Sequence, residues 1–156
     1  MPLAGAAVAA GAAAVREEPR DAPPPEGATG GPPETVPPLV LGGIEEFNKG
    51  DFYECHEYLE EAWMQEPRRV RFLYQGILQI GVGFYHLKNG NWRGATGLLR
   101  NGILRLKEFE PESLGIDVSR LVRQSEACLR ELEILGRERV REFDLTGIPK
   151  VTIARK

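Results

Sequence analysis

The sequence predicts an all-α fold: a compact bundle of about five helices, built from helical hairpins and preceded by a disordered N-terminal tail. Two observations predict it. Apolar residues recur at helical spacing from residue 39 onward, and capping residues and tight glycine turns divide this pattern into segments of helix length. Before residue 39, by contrast, the chain is rich in Ala, Pro and Gly and nearly free of large apolar residues. We therefore expect a tail over residues 1–38 and a helical domain over residues 39–143.

The predicted tail has two parts. Residues 3–15 are mostly Ala and Gly, and a segment this short cannot cross a bilayer, which requires about 20 helical residues. No Lys or Arg precedes it, so the charged start of a secretory signal is missing, although a transit-peptide interpretation stays open. Residues 16–38 hold eight prolines, and such a segment cannot bury enough apolar surface to offset its chain entropy.

The first two helices are separated by a glycine turn. Leu41, Ile44 and Phe47 share one helical face of the first helix. Gly50 suits the left-handed position after its end, and Asp51 suits the N-cap of the next helix. The second helix is then expected to run from about residue 52 to residue 65.

Three further helices follow the same signals. Pro67 is expected to open the third helix, which ends near Lys88. Asn91 is the expected cap of the fourth helix, which runs to about Phe109, and Asp117 is the expected cap of the fifth. One apolar stripe marks the fifth helix: Val118, Leu121, Val122, Leu129, Leu132 and Leu135.

The turns that connect the first helix to the second and the third to the fourth have similar sequences, at an offset of 40 residues. The segment 48–52 corresponds to 88–92, and each copy is followed three positions later by a small residue, Cys55 or Ala95. A small residue at this position allows the two helices of a hairpin to approach closely, as in tetratricopeptide-like hairpins. Residues 144–156 carry no comparable signal and are expected to form an irregular C-terminal tail.

Composition excludes some classes of function. The 20 basic and 23 acidic residues give a net charge of −3, and no stripe of Lys or Arg indicates binding to nucleic acid. No segment indicates a membrane protein. Cys55 and Cys128 fit no metal-binding spacing and are interpreted as reduced, buried thiols, with a disulfide as the less favoured alternative. Reduced thiols favour a cytoplasmic location, with the plastid stroma as the alternative.

The second helix carries polar residues at the edge of its apolar face. His56 lies at that edge, close to Trp63 on the helical wheel. Glu60, four residues after His56, stacks on the same side of the helix. Among the other glutamates of this helix, Glu57 points closest to His56.

The third helix is apolar nearly all round and is therefore expected at the centre of the domain. Yet Gln75, Gln79 and His86 fall within a narrow sector of its wheel, with Arg71 at the margin. Buried polar groups need partners. The nearest candidates are on the preceding helix, so we expect both histidines of the chain to meet in one buried polar cluster.

Three interpretations of this cluster are open. The first is a structural hydrogen-bond network. The second is a divalent metal site in which His56, Glu60 and His86 bind Zn, Mn or Fe. The third is a pocket for a small ligand or a general acid–base pair, with His56 oriented by Glu60. The metal signal is incomplete, because the HExxE pattern lacks the second histidine of the zinc-protease helix.

The chain resembles the domain-of-unknown-function 309 family. The resemblance rests on three stretches: Phe47–Trp63, with FNKGDFYECHEYLEEAW; 71–80, with RFLYQGILQI; and Tyr85-His86 followed by 91–95, NWRGA. It covers about residues 40–135 and is most similar to the cyanobacterial and plastid branch. The resemblance implies a compact helical fold and no established activity. The family's motif positions fall on Glu54, His56, Glu57, Glu60, Trp63, Gln75, Gln79 and His86.

Two functions therefore compete. The first is a protein that binds a divalent metal or a small ligand at a His/Glu/Gln site between the second and third helices, with catalysis left undecided. The second is a helical-hairpin module for protein–protein interaction, whose polar cluster is structural. A protein partner or a homodimer stays open.

Overall fold

The computed structural model describes residues 35–154. Of the predicted tail, residues 1–34 lie outside this range. The described part is all-α, as the sequence predicts, apart from one very short β-hairpin. Its helices are α1 (Pro38–Lys49), α2 (Phe52–Gln65), α3 (Arg71–Lys88), α4 (Trp92–Leu106) and α5 (Val118–Leu135).

Short elements connect and follow α4 and α5. A 3₁₀ turn, Lys107–Phe109, continues α4. Strands β1 (Glu112–Ser113) and β2 (Ile116–Asp117) then pair antiparallel. After α5 come two 3₁₀ segments, Arg137–Glu142 and Leu145–Gly147.

Most of the predicted turn chemistry is present. Gly50 and Gly90 both adopt left-handed backbone conformations, with φ of 84° and 74°, so the two echoed turns are alike. The side chains of Asn91 and Asp117 each accept a hydrogen bond from the backbone N–H three residues on. Asp51 occupies the N-cap of α2 but makes no side-chain capping bond. The likeness to tetratricopeptide hairpins stays a prediction.

The start of α3 differs from the prediction, because the helix begins at Arg71 and not at Pro67. The chain is extended at Glu66, with φ −94° and ψ 115°. The Glu66 carboxylate accepts hydrogen bonds from the backbone N–H of Arg68, at 3.0 Å, and from its guanidinium. This local pairing holds a turn over residues 68–70 that delays the helix.

The central position of α3 organises the core. α3 packs against α2 on one side and α4 on the other. Leu73, Ile77, Ile80 and Phe84 of α3 are fully buried. Burial of this kind contributes roughly 1.5–3 kcal/mol for each large apolar side chain. None of the helices in the described range is both long and apolar enough to cross a membrane.

The C-terminal segment is anchored on the bundle. The Asn48 side chain accepts a hydrogen bond from the backbone N–H of Val151 at 2.7 Å and donates one to its carbonyl at 3.0 Å. Ile153 forms an isolated bridge with Ile116 of β2. The two cysteines are free and buried, as predicted.

Glycines set the distance between α3 and α4. A Cβ at Gly102 of α4 would lie 2.8 Å from Ile80 and 3.1 Å from the backbone oxygen of Gly76. We therefore expect Gly102→Ala to lower the free energy of unfolding by about 1–3 kcal/mol, because the helices would have to separate. Chemical denaturation measures this difference.

Gly97→Ala is the matched control on the same helix. Nothing lies within 4 Å of a Cβ at Gly97, so this variant gains helix propensity of about 1 kcal/mol without a clash. Equal effects of the two substitutions would contradict close α3–α4 packing at Gly102.

Candidate functional site

The inner edge of α2 places three of the predicted site residues toward α3. His56 is 6% exposed and Trp63 is 1% exposed, whereas Glu60 between them is partly buried. His56 Nε2 lies 3.5 Å from Glu60 Oε1, which is an ion-pair distance but too long for a strong hydrogen bond. Neither ring nitrogen of His56 makes a hydrogen bond within the described chain.

The polar residues of α3 are also buried. Arg71, Gln75 and Gln79 are 9%, 2% and 8% exposed, so the helical wheel identified them correctly as polar groups on a buried helix. The Arg71 guanidinium lies over the Trp63 ring, 5.2 Å from its centroid, and this contact joins the two helices. A cation–π contact of this kind contributes roughly 0.5–2 kcal/mol.

Unpaired polar atoms concentrate on these two helices. In residues 35–154, nine buried side-chain nitrogen and oxygen atoms lack a hydrogen-bond partner, and seven of them belong to α2 or α3. Buried polar groups are normally bonded, since leaving one unpaired costs about 1–3 kcal/mol. We call this set the α2–α3 seam; its residues are His56, Trp63, Arg71, Tyr74, Gln75 and Gln79.

Tyr74 is the seam residue that sequence analysis missed. The residue is 1% exposed, and its hydroxyl has no hydrogen-bond partner in the described part of the chain. Burial, with a smaller contribution from the nearby Glu66 carboxylate, raises the pKa of Tyr74 far above its usual value, so the hydroxyl keeps its proton and can donate. The wheel hides this residue because its ring lies among the apolar positions that face α2.

The structure places His86 with α4 and not with His56. His86 is partly buried against Gly94, and its Nδ1 lies 3.2 Å from Asn91 Nδ2. No hydrogen bond or ring contact joins the two histidines within the described chain. Between them lie Tyr53, 6.3 Å from the His56 ring, and Tyr85, 6.1 Å from the His86 ring.

The predicted metal set is not assembled. Residues 35–154 contain no group of three or more His, Cys, Asp or Glu side chains that could hold a metal ion. His56 and Glu60 are close to each other, but His86, the third expected ligand, contacts the Asn91 side chain before α4 instead. The convergence of both histidines, on which the metal interpretation depended, is absent from this part of the chain.

A depression of about 400 Å³ is bordered by His56 and neighbouring residues of α2. Its lining contains three carboxylates and no Lys or Arg within the described chain, so its electrostatic potential favours positive groups. Glu57, which the helical wheel places on the His56 side of α2, also lines this depression. The lining residues are His56, Glu57, Glu60, Glu61, Met64 and Gln65.

Comparison with known proteins finds a family match over part of the chain. Residues 40–98 match the family described as Domain of unknown function (DUF309). The resemblance expected from the sequence is thereby confirmed for this stretch, which includes α2, α3 and the seam. The cyanobacterial or plastid branch stays a prediction, as does the compartment.

Two relatives are themselves uncharacterised. The chain is 36% identical over 89 residues to the protein YpuF of Bacillus subtilis (strain 168), covering 55% of this chain and 51% of that protein. It is 26% identical over 89 residues to an uncharacterised protein of Aquifex aeolicus (strain VF5), covering 56% of this chain and 27% of that protein. The chain thus spans about half or less of the length of these relatives. No solved structure matches.

The environment of His86 predicts a pH-dependent stability. Burial lowers the pKa of His86 below its usual value of 6.5. Because Asn91 Oδ1 accepts from Gly94 N–H, Asn91 Nδ2 faces His86 Nδ1, which must be unprotonated to accept. The unfolded chain therefore binds the proton more readily, and stability is lost as the pH falls below about 6.5.

We expect His86→Gln to flatten the pH dependence of the melting temperature between about pH 5 and pH 7. Tyr85→Phe, which changes the neighbouring residue without removing a group that titrates in this range, is the control. Identical slopes for the wild type and His86→Gln would rule out this role for the buried imidazole.

Proposed function

We propose that the domain is a ligand-binding protein that holds a small polar molecule against the α2–α3 seam. The observation that carries this proposal is the concentration, on two neighbouring helices, of seven buried polar atoms that have no hydrogen-bond partner among residues 35–154. A protein core made for stability alone would place apolar side chains at these positions. Their retention is accounted for if a ligand supplies the missing hydrogen bonds.

The acidic depression supports one feature of such a ligand. His56 forms part of its lining, and Glu57, Glu60 and Glu61 add negative charge. A group that donates hydrogen bonds, such as an amine or amide, can bind a carboxylate and an imidazole nitrogen together. We therefore assign the donor-recognising end of the seam to His56 and Glu60.

The alternative function is a hairpin interaction module with a structural polar cluster. It predicts that removing a seam group weakens the fold, whereas ligand binding predicts the opposite. The two proposals therefore differ in the sign of one stability change.

We expect Gln75→Met to raise the free energy of unfolding by about 1 kcal/mol, because Met has a similar shape and no unpaired polar atom. Gln65→Met is the control: Gln65 is exposed and donates to Glu61 at 3.0 Å, so its replacement should change stability little. Urea denaturation measures both. A decrease of about 1 kcal/mol or more in the free energy of unfolding is the effect expected from breaking a buried hydrogen bond. If Gln75→Met shows this decrease and Gln65→Met does not, the structural network is favoured.

A second measurement separates a polar molecule from a metal ion. Because no three-donor group exists in residues 35–154, we expect neither a chelator nor added Zn²⁺ or Mn²⁺ to shift the melting temperature of untagged protein. A rise of several degrees that His56→Gln abolishes would instead establish the metal site first expected at His56, Glu60 and His86.

A further inference from the structure

Arg71 is a buried cation without a carboxylate partner. It is 9% exposed, and its side chain makes no hydrogen bond or ion pair with any of residues 35–154. The Glu66 carboxylate interacts electrostatically with Arg71 but makes no hydrogen bond to it. That carboxylate is engaged by Arg68, whose Nε lies 2.6 Å from Glu66 Oε2.

A buried guanidinium without a partner destabilises the folded state. Arginine keeps its charge at all physiological pH values, so it cannot relieve the cost of burial by losing a proton. Buried charges are otherwise paired, because the desolvation of an unpaired ion is strongly unfavourable. Arg69, two residues away, shows the ordinary arrangement: its side chain is 72% exposed and pairs with Glu108.

A second unpaired donor lies beside Arg71. The Trp63 ring is directly beneath the guanidinium, at 5.2 Å, and its Nε1–H has no acceptor in the described chain. The Nε–H of Arg71 is also buried and unpaired. Both groups only donate, so the partner that satisfies them must be an acceptor.

The surrounding charge favours a negatively charged acceptor. Arg69, Arg71 and Arg105 all lie within 6 Å of the Phe72 ring centroid. Within residues 35–154, Arg68 pairs with Glu66, and Arg69 and Arg105 pair with Glu108. The guanidinium groups gathered at this end of α3 favour an anion beside the buried pair of donors.

We propose that Arg71 and Trp63 form a binding subsite for an oxyanion, the carboxylate or phosphate group of a small ligand. The planar guanidinium matches the geometry of either group. This proposal rests on the function proposed above and adds its second feature: an anionic group at the Arg71 end, opposite the donor-binding His56 end. His56 and Trp63 are seven residues apart in α2, which corresponds to about 10 Å along the helix.

The test compares Arg71→Met with Arg69→Met in the full chain. Both variants remove a guanidinium near Phe72, but only Arg71→Met removes the buried, unpaired one. Melting temperature and tryptophan fluorescence are followed during titration with sodium phosphate and, separately, sodium acetate. Sodium chloride at equal ionic strength is the reference, because it reproduces only screening.

The wild type and Arg69→Met should respond to phosphate or to acetate beyond the chloride reference, whereas Arg71→Met should bind the same anion at least about tenfold more weakly. Without oxyanion, Arg71→Met should melt no lower than the wild type, because it loses an uncompensated buried charge. Arg71→Lys, which keeps the charge but not the planar fork, should bind the anion with intermediate strength. Whichever anion acts identifies the group as phosphate or carboxylate.

Two results would overturn the subsite. One is a wild-type response to both anions that does not exceed that to chloride. The other is an equal response in wild type, Arg71→Met and Arg71→Lys. Neither result decides the Gln75→Met stability test, so the anion subsite and the ligand-binding function can fail separately.

Discussion

The structure depends on one constraint: α3 is buried on nearly every side, yet it carries polar side chains that residues 35–154 do not satisfy. Its apolar residues hold α2 and α4 together around the core, and this central position takes Arg71, Gln75 and Gln79 out of water. Burial gives these groups their importance, because a hydrogen bond or a charge is stronger where water is excluded. On an exposed helix, water would satisfy the same side chains, and they would not indicate a binding site.

The seam has different chemistry at its two ends. At one end, His56 and three glutamates line a depression that favours positive or donating groups. At the other end, Arg71 and Trp63 offer donors only. The two proposals together describe a ligand with separated positive and negative groups, and the rigid packing of α2 on α3 sets the distance between them.

Most of the scaffold could be predicted because its signals are local. Gly50 and Gly90 form the left-handed turns that their neighbours indicated, and Asn91 caps α4 with its side chain. Local rules failed at Pro67, where the Glu66 carboxylate, hydrogen-bonded to Arg68, holds an extended turn. Proline is compatible with the first turn of a helix but does not require a helix to begin there, so Pro67 did not fix the boundary.

The candidate site was predictable in part. Helical wheels identify which side chains share a face, and they selected His56, Gln75 and Gln79 correctly as buried. They do not show which neighbouring helix a face meets. His86 shares the sector of Gln79 but packs on Gly94 of α4, and the Tyr74 hydroxyl lies buried within the apolar face without a partner among residues 35–154. Both outcomes depend on tertiary packing that a single helix does not encode.

The indole protons of the two tryptophans test the central claim most directly. Trp92 Nε1 donates to the Leu132 carbonyl at 2.7 Å, whereas Trp63 Nε1 is buried without an acceptor in the described chain. In an ¹H–¹⁵N spectrum of the protein, assigned with Trp92→Phe, the account predicts that the Trp63 indole proton resonates upfield of the bonded Trp92 proton and moves downfield when phosphate or acetate is added. A Trp63 resonance that is already as far downfield as that of Trp92, and that neither anion shifts, would contradict an unpaired seam.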